Sequence, residues 1–173
     1  FTPEIIQNVL NEVLWPCTHV LDKDALGKVF IQVLERLAFT FAEVMPKDKL
    51  PPFEEGGRLL AIDFKGRVSG NLELAMSDDL GRLIAANILG IELEDNAAAT
   101  QSDDSLKELI NVTCGQMLTA IAGEQPVFDM STPSITALTP ALWTSLKDDA
   151  DSLAFSAEEH VILLRLKLEE RRG

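Results

Sequence analysis

Asp104-Ser-Leu-Lys-Glu108-Leu-Ile-Asn111-Val-Thr-Cys-Gly115 is the stretch around which the chain is organised. Wound at about 100° per residue, it separates two faces of a helix expected over residues 103–122. Leu106, Leu109, Ile110, Thr113, Met117, Ala120 and Ile121 share one broad side. Asp104, Glu108, Asn111 and Gly115 fall opposite, within a sector of about 60°. Polar residues opposite an apolar stripe are what any surface helix carries, and a solvated face explains Glu108 and Asn111 taken alone. Asn followed by Gly four residues later in mid-helix is less ordinary. Gly costs about 1 kcal/mol against Ala at such a position and Asn roughly half that or a little more. No core packing explains the choice on an exposed face, which points to a site.

Working outward, Leu60, Ile62 and Phe64 alternate with polar residues, as do Val68, Leu72, Leu74 and Met76. With Lys65-Gly66-Arg67 between them, they predict a hairpin with one buried face. Ser77 caps a helix expected over 78–89 and stopped by Gly90. The polar stretch 95–103 reads as a loop. Upstream, Leu26, Val29, Phe30, Val33, Leu37, Phe41 and Val44 form one stripe, predicting a long helix over 24–44 that Met45-Pro46 ends. Thr2 and Pro3 open an amphipathic helix over 3–15, so residues 1–20 form an additional N-terminal helix. Downstream, strands are expected at 127–130, 133–136, 153–156 and 160–168, with a turn-rich stretch around Pro140. The sum is α+β: one domain over 1–173, an antiparallel sheet packed against long helices gathered on one side.

At 173 residues the chain can bury a substantial core, and 46% hydrophobic content fits a globular protein. No apolar run reaches membrane-span length and no basic-then-apolar leader is present, so a cytoplasmic protein is expected. Fifteen Lys and Arg against 28 Asp and Glu give a net charge of −13, which repels nucleic acid and anionic membrane surfaces. Cys17 and Cys114 sit among helical apolar residues and read as free buried thiols. His19 and His160 lack spacing partners for a metal and read as structural, His160 on the solvent side of its strand. Asp103, Asp104 and Glu108 resemble the loose acidic clusters of any acidic surface, so no metal site is assigned. No Gly-rich phosphate loop is present, so no nucleotide is expected.

Glu108-x-x-Asn111-x-x-x-Gly115, preceded by Asp104 and followed by Pro133, resembles the signature helix of the CheC/CheX/FliY family of chemotaxis phosphatases. Gly66-x-x-x-Gly70-x-Leu-x-Leu and Leu83-Ile-Ala-Ala-Asn-Ile-Leu89-Gly90 extend the likeness over most of residues 25–168. The resemblance implies a pseudo-repeat of one helix-plus-strands unit. Sliding the second helix onto the first pairs Glu108 with Glu35, Asn111 with Ala38, Gly115 with Ala42 and Asp104 with Ile31. Only the second copy keeps an Asn, the CheX-like arrangement. The Ile31/Ala38/Ala42 face is apolar and, with the dimeric habit of CheX-like proteins, leads us to expect a homodimer.

The resemblance also implies a reaction, hydrolysis of the aspartyl phosphate of a CheY-like response-regulator receiver domain. Such a phosphate is already reactive, and positioning and charge stabilisation dominate phosphoryl transfer. By resemblance Asn111 positions the attacking water, Glu108 bonds the receiver's lysine, and Gly115 lets the partner's backbone approach. Asp104 either supports docking or simply charges the helix N-terminus favourably. This chain binds no cofactor of its own, and the divalent metal, Mg2+, belongs to the partner. The alternative is a non-catalytic receiver-binding or scaffold module of the same fold.

Overall fold

A seven-stranded, wholly antiparallel sheet lies between two helical layers of unequal size in the computed structural model, which describes residues 22–169. The expected helix over 3–15, Cys17 and His19 lie outside the described residues. In chain order the elements are α1 (Lys23–Ala38), β1 (Ala42–Met45), β2 (Gly57–Lys65), β3 (Gly70–Ser77), α2 (Asp78–Leu89), α3 (Asn96–Thr100), α4 (Ser102–Ala122), β4 (Asp129–Met130), β5 (Ser134–Ala137), α5 (Pro140–Asp148), β6 (Ser152–Ala157) and β7 (His160–Leu168).

The sheet runs β1-β6-β7-β3-β2-β4, and β5 also pairs with β2. Exchanging β1, β2 and β3 with β5, β6 and β7 maps the path β1-β6-β7-β3-β2-β5 onto its own reverse, and β4 alone among the described strands has no counterpart. The pseudo-repeat is therefore built into the sheet, with its axis between β3 and β7. The helices that open the two halves, α1 and α4, pack against each other.

Alternation in the strands creates two cores. Leu60, Ile62 and Phe64 of β2, Leu72, Leu74 and Met76 of β3, and Ile162, Leu164 and Leu166 of β7 face α1, α2 and α4. Phe30 of α1 meets Phe155 of β6 edge to face, with ring centroids 4.9 Å apart. The intervening Leu59, Ala75, Ala154 and Leu163 form a second core with Trp143 and Leu146 of α5. Helices therefore lie on both sides of the sheet, not on one. The expected turn-rich stretch around Pro140 is α5, capped by the Thr139 hydroxyl, which accepts from the Leu142 N–H at 3.3 Å, and begun by proline. That is the same Thr-Pro start signal as Thr2-Pro3.

Beneath α5, buried Arg165 donates to Glu73 of β3 at 2.6 Å and to Asp149 at 3.2 Å, joining β3, β7 and the end of α5. The N–H of Asp151, followed by Lys167 and Arg165, holds the Asp149 carboxyl below its ordinary range against the opposing effect of burial.

Other expectations need correction. The first helix ends at Ala38 rather than at 44. Phe39 adopts a left-handed conformation (φ 48°), and the Thr40 N–H closes on Leu34 O at 3.1 Å. Phe41 and Val44 accordingly sit on β1 and its approach, outside the helical stripe. Ala38 and Ala42 are buried in the chain's own core and Ile31 packs against it, so this face is not an outer contact surface. Residues 96–100 form α3 where a loop is expected, because Ala98 is buried there and Asp95 caps the turn. The strand expected at 127–130 shortens to its last two residues. His160 is half-buried rather than solvent-facing, its Nδ1 3.0 Å from Ser77 Oγ.

Candidate functional site

Helix α4 spans Ser102–Ala122, one residue longer than expected at its front. Leu106, Leu109, Ile110, Cys114 and Met117 are fully buried and fasten it to α1, α2 and the sheet. Buried Thr113 satisfies its hydroxyl internally by donating to Leu109 O at 2.7 Å. Burial of this stripe turns the opposite face outward: Asp104 and Glu108 are exposed, and Asn111 and Gly115 half-buried. Glu108 and Asn111, three residues apart on one helix, bring their Cβ atoms to about 5–6 Å from each other.

Among the described residues, the side chains of Asp104, Glu108 and Asn111 make no hydrogen bond or ion pair. Their acceptors and the Asn111 amide are open to a visiting molecule. Gly115 has the same character, because a Cβ built on it meets nothing within 4 Å. No contact among the described residues requires a glycine there.

The front of α4 is held differently. Gln101 precedes it without a side-chain cap, leaving first-turn N–H groups without that partner. Arg58 of β2 supplies a tie instead. Its Nη1 donates to Ser102 Oγ at 3.1 Å and to Asp103 Oδ1 at 2.6 Å, and its Nε donates to Asp78 Oδ1 at 2.5 Å. Asp103 is thus turned toward Arg58, away from any cation site shared with Asp104 and Glu108. The sequence reading passes over Arg58, although a signal exists: Arg58, Leu60, Ile62 and Phe64 are in phase on one strand. A cation in phase with a buried face requires a counter-ion.

Cys114 lies on the core side of α4, and burial pushes its thiol up to about 11. It stays protonated at neutral pH and offers no thiolate nucleophile. Pro133 is half-buried just before β5, on the edge strand beside β2. Among the described residues, no three His, Cys, Asp or Glu side chains gather as metal ligands, and no helix is long and apolar enough to cross a membrane.

A face with a carboxylate, a neutral amide and an open glycine on a rigid helix can do one thing well. It can present an acceptor to a cationic group and hold a water one turn away, beside a partner that brings its own electrophile.

The family model described as chemotaxis phosphatase CheX matches residues 59–155, from β2 through β6 and including all of α4. Among solved structures, CheX from Vibrio vulnificus is 18% identical, with 85% of this chain and 98% of that chain covered at a TM-score of 0.62. The CheX-CheY-BeF3-Mg2+ complex from Borrelia burgdorferi is matched at 14% identity, 85% and 97% coverage and a TM-score of 0.58. FliY from Thermotoga maritima is matched at 14% identity, 95% and 91% coverage and a TM-score of 0.52. At such identities these structures establish a shared fold. No curated protein is a significant match to the chain.

Proposed function

Because the chain belongs to the chemotaxis phosphatase CheX family, we propose that it hydrolyses the aspartyl phosphate of a CheY-like receiver domain, with Asn111 positioning the attacking water. The observation that carries this reading is the Glu108 and Asn111 pair, unengaged among the described residues and one turn apart on the outward face of α4. The Borrelia burgdorferi neighbour is a complex of CheX with CheY, BeF3 and Mg2+, and a partner of that kind is what we assign here.

The receiver brings the reactive acyl phosphate and its divalent ion. The carbonyl of Asn111 accepts a hydrogen bond from a water and aims it at phosphorus in line with the scissile P–O bond. A neutral amide does this without repelling the phosphoryl oxygens, as a carboxylate would. Water adds to phosphorus as the bond to the aspartyl oxygen breaks, releasing inorganic phosphate and the free carboxylate. Glu108, one turn away, pairs with the receiver's lysine. Asp104 lies at the rim of the same contact, and Gly115 leaves room for the partner's backbone. The same reading puts the reaction in the cytoplasm.

The test is direct. Phosphorylated receiver domains incubated with the chain are expected to lose phosphate faster than alone, while nucleotides and phosphoserine peptides are untouched. Tight binding without acceleration would identify a receiver-binding module instead.

Gly115→Ala separates docking from folding. With open space around the added methyl, the variant is expected to be more stable by about 1 kcal/mol from helix propensity. Its affinity for the phosphorylated receiver should nevertheless fall severalfold. Unchanged affinity would remove Gly115 from the contact.

A homodimer is the companion proposal, now supported by a different surface from the Ile31/Ala38/Ala42 face. Phe39, Phe41 and Val44 are 71%, 73% and 57% exposed along β1. Among the described residues, that strand is hydrogen-bonded only on its β6 side. Exposed apolar residues on an open edge mark an association surface. Sedimentation is expected to show a dimer at micromolar concentration and a monomer for Phe41→Glu. A wild-type monomer at high micromolar concentration removes the claim.

A further inference from the structure

We infer that Arg58 is a positioning residue for the docking end of the site, fixing the first turn of α4 and thereby the places of Asp104 and Glu108. The inference rests on the receiver-docking part of the reading above. Helix α4 starts at a junction that is weak by local rules: α3 runs into it through Gln101, which provides no side-chain cap. The first turn of an uncapped helix frays readily, because its N–H groups lack partners within the helix.

Arg58 is built to prevent this. Its backbone is paired on both sides, with Met76 of β3 and Ala137 of β5. Its half-buried side chain reaches the rim of the helical layer. One planar guanidinium there engages Ser102 and Asp103 at the front of α4 and Asp78 at the front of α2. The rigid fork spans two helix ends, which a point-charge ammonium cannot do equally well. Ser102 is itself buried, so its contact is shielded from water.

The influence of this clamp is graded along α4. Asp104 directly follows the clamped Asp103, and Glu108 lies one turn on. Asn111 is two turns in, flanked by fully buried Leu109, Ile110 and Thr113, which hold it whether or not the front turn frays. Loss of Arg58 therefore loosens recognition and leaves the chemical step in place.

The experiment measures, for the full chain, the Kd for a receiver carrying beryllofluoride in place of the phosphoryl group, alongside kcat and KM on the phosphorylated receiver. Arg58→Ala and Asp103→Ala are each expected to raise Kd and KM about fivefold, the upper range for partly exposed ion pairs, with kcat little changed. The double variant should be no worse than Arg58→Ala, because that variant has already lost the tie to Asp103. Arg58→Lys should recover only part of the affinity. Asp103→Ala, at an exposed helical position, carries the test if Arg58→Ala folds poorly. Unchanged Kd and KM, a fall in kcat alone, or additive losses in the double variant would overturn the inference. A wild-type chain that binds the receiver without turning it over would overturn the phosphatase reading, and the Kd comparisons would still decide the role of Arg58.

Discussion

Asn111→Ala is expected to remove most of the dephosphorylating activity, on the order of a hundredfold or more, while the protein stays folded. Holding a nucleophile in near-attack geometry contributes several kcal/mol to barrier lowering, and each 1.4 kcal/mol or so is tenfold in rate. The fold should tolerate the change because the Asn111 side chain is half-buried and makes no hydrogen bond among the described residues. Ala is also the better helix former by roughly half a kcal/mol. Binding to the phosphorylated receiver should persist, since Glu108 and the remaining surface are intact. Glu108→Ala is the contrasting variant: it removes a charge-assisted bond to the partner, so affinity should fall along with turnover. Single-turnover kinetics with Kd measured in parallel distinguish the two. Near-normal turnover by Asn111→Ala would overturn the water-positioning mechanism even with the fold unchanged.

Gly70→Ala is expected to be the most damaging small change in the molecule. A Cβ at Gly70 would lie 1.9 Å from Lys167 O, 2.9 Å from that carbonyl carbon and 3.0 Å from the Phe64 ring. The first two atoms belong to the backbone of β7, the neighbour of β3 at the pseudo-repeat axis. Relief requires the two central strands to part, so the Gly70–Leu168 end of the ladder would open. Overpacking that moves backbone costs roughly 3 kcal/mol or more. Urea unfolding should show a midpoint shifted accordingly. An unchanged midpoint would mean that β3 and β7 accommodate the methyl group without parting. Set beside Gly115→Ala, the same methyl group is expected to have opposite effects on stability at two glycines of the resemblance motif.

These two glycines show what can be read from the sequence and what cannot. Both belong to the pattern that resembles the family, yet neither the pattern nor helix propensity tells which one is structural. That distinction depends on a carbonyl from β7, nearly a hundred residues away. Helix α4 is legible because a long apolar stripe and its polar opposite face are both local, and the hairpin β2–β3 is legible for the same reason. The end of α1 is not, because Phe41 and Val44 continue the helical phase by coincidence. The left-handed turn at Phe39 and the pairing of β1 with β6 decide that boundary. Helix α5 carries its Thr139-Pro140 start signal in the open, but its nine residues are short for periodicity to register. The second core it covers depends on Leu59, Ala75, Ala154 and Leu163 meeting across four strands. The partners of Arg58, on α2 and α4, are non-local as well.

The pairing of β1 with β6 has a consequence during synthesis. Ala42 finds Ala157, and Met45 finds Ala154, only after β2 to β5 and the helices among them have been made. The β2–β3 hairpin can close early, because its partners are sequence neighbours. Strand β1, preceded by exposed Phe39 and Phe41, must wait with both of its edges open. Non-local strand pairing of this kind slows folding and prolongs exposure of sticky segments. While it waits, β1 is therefore a liability for aggregation, and chaperone engagement is expected at this segment.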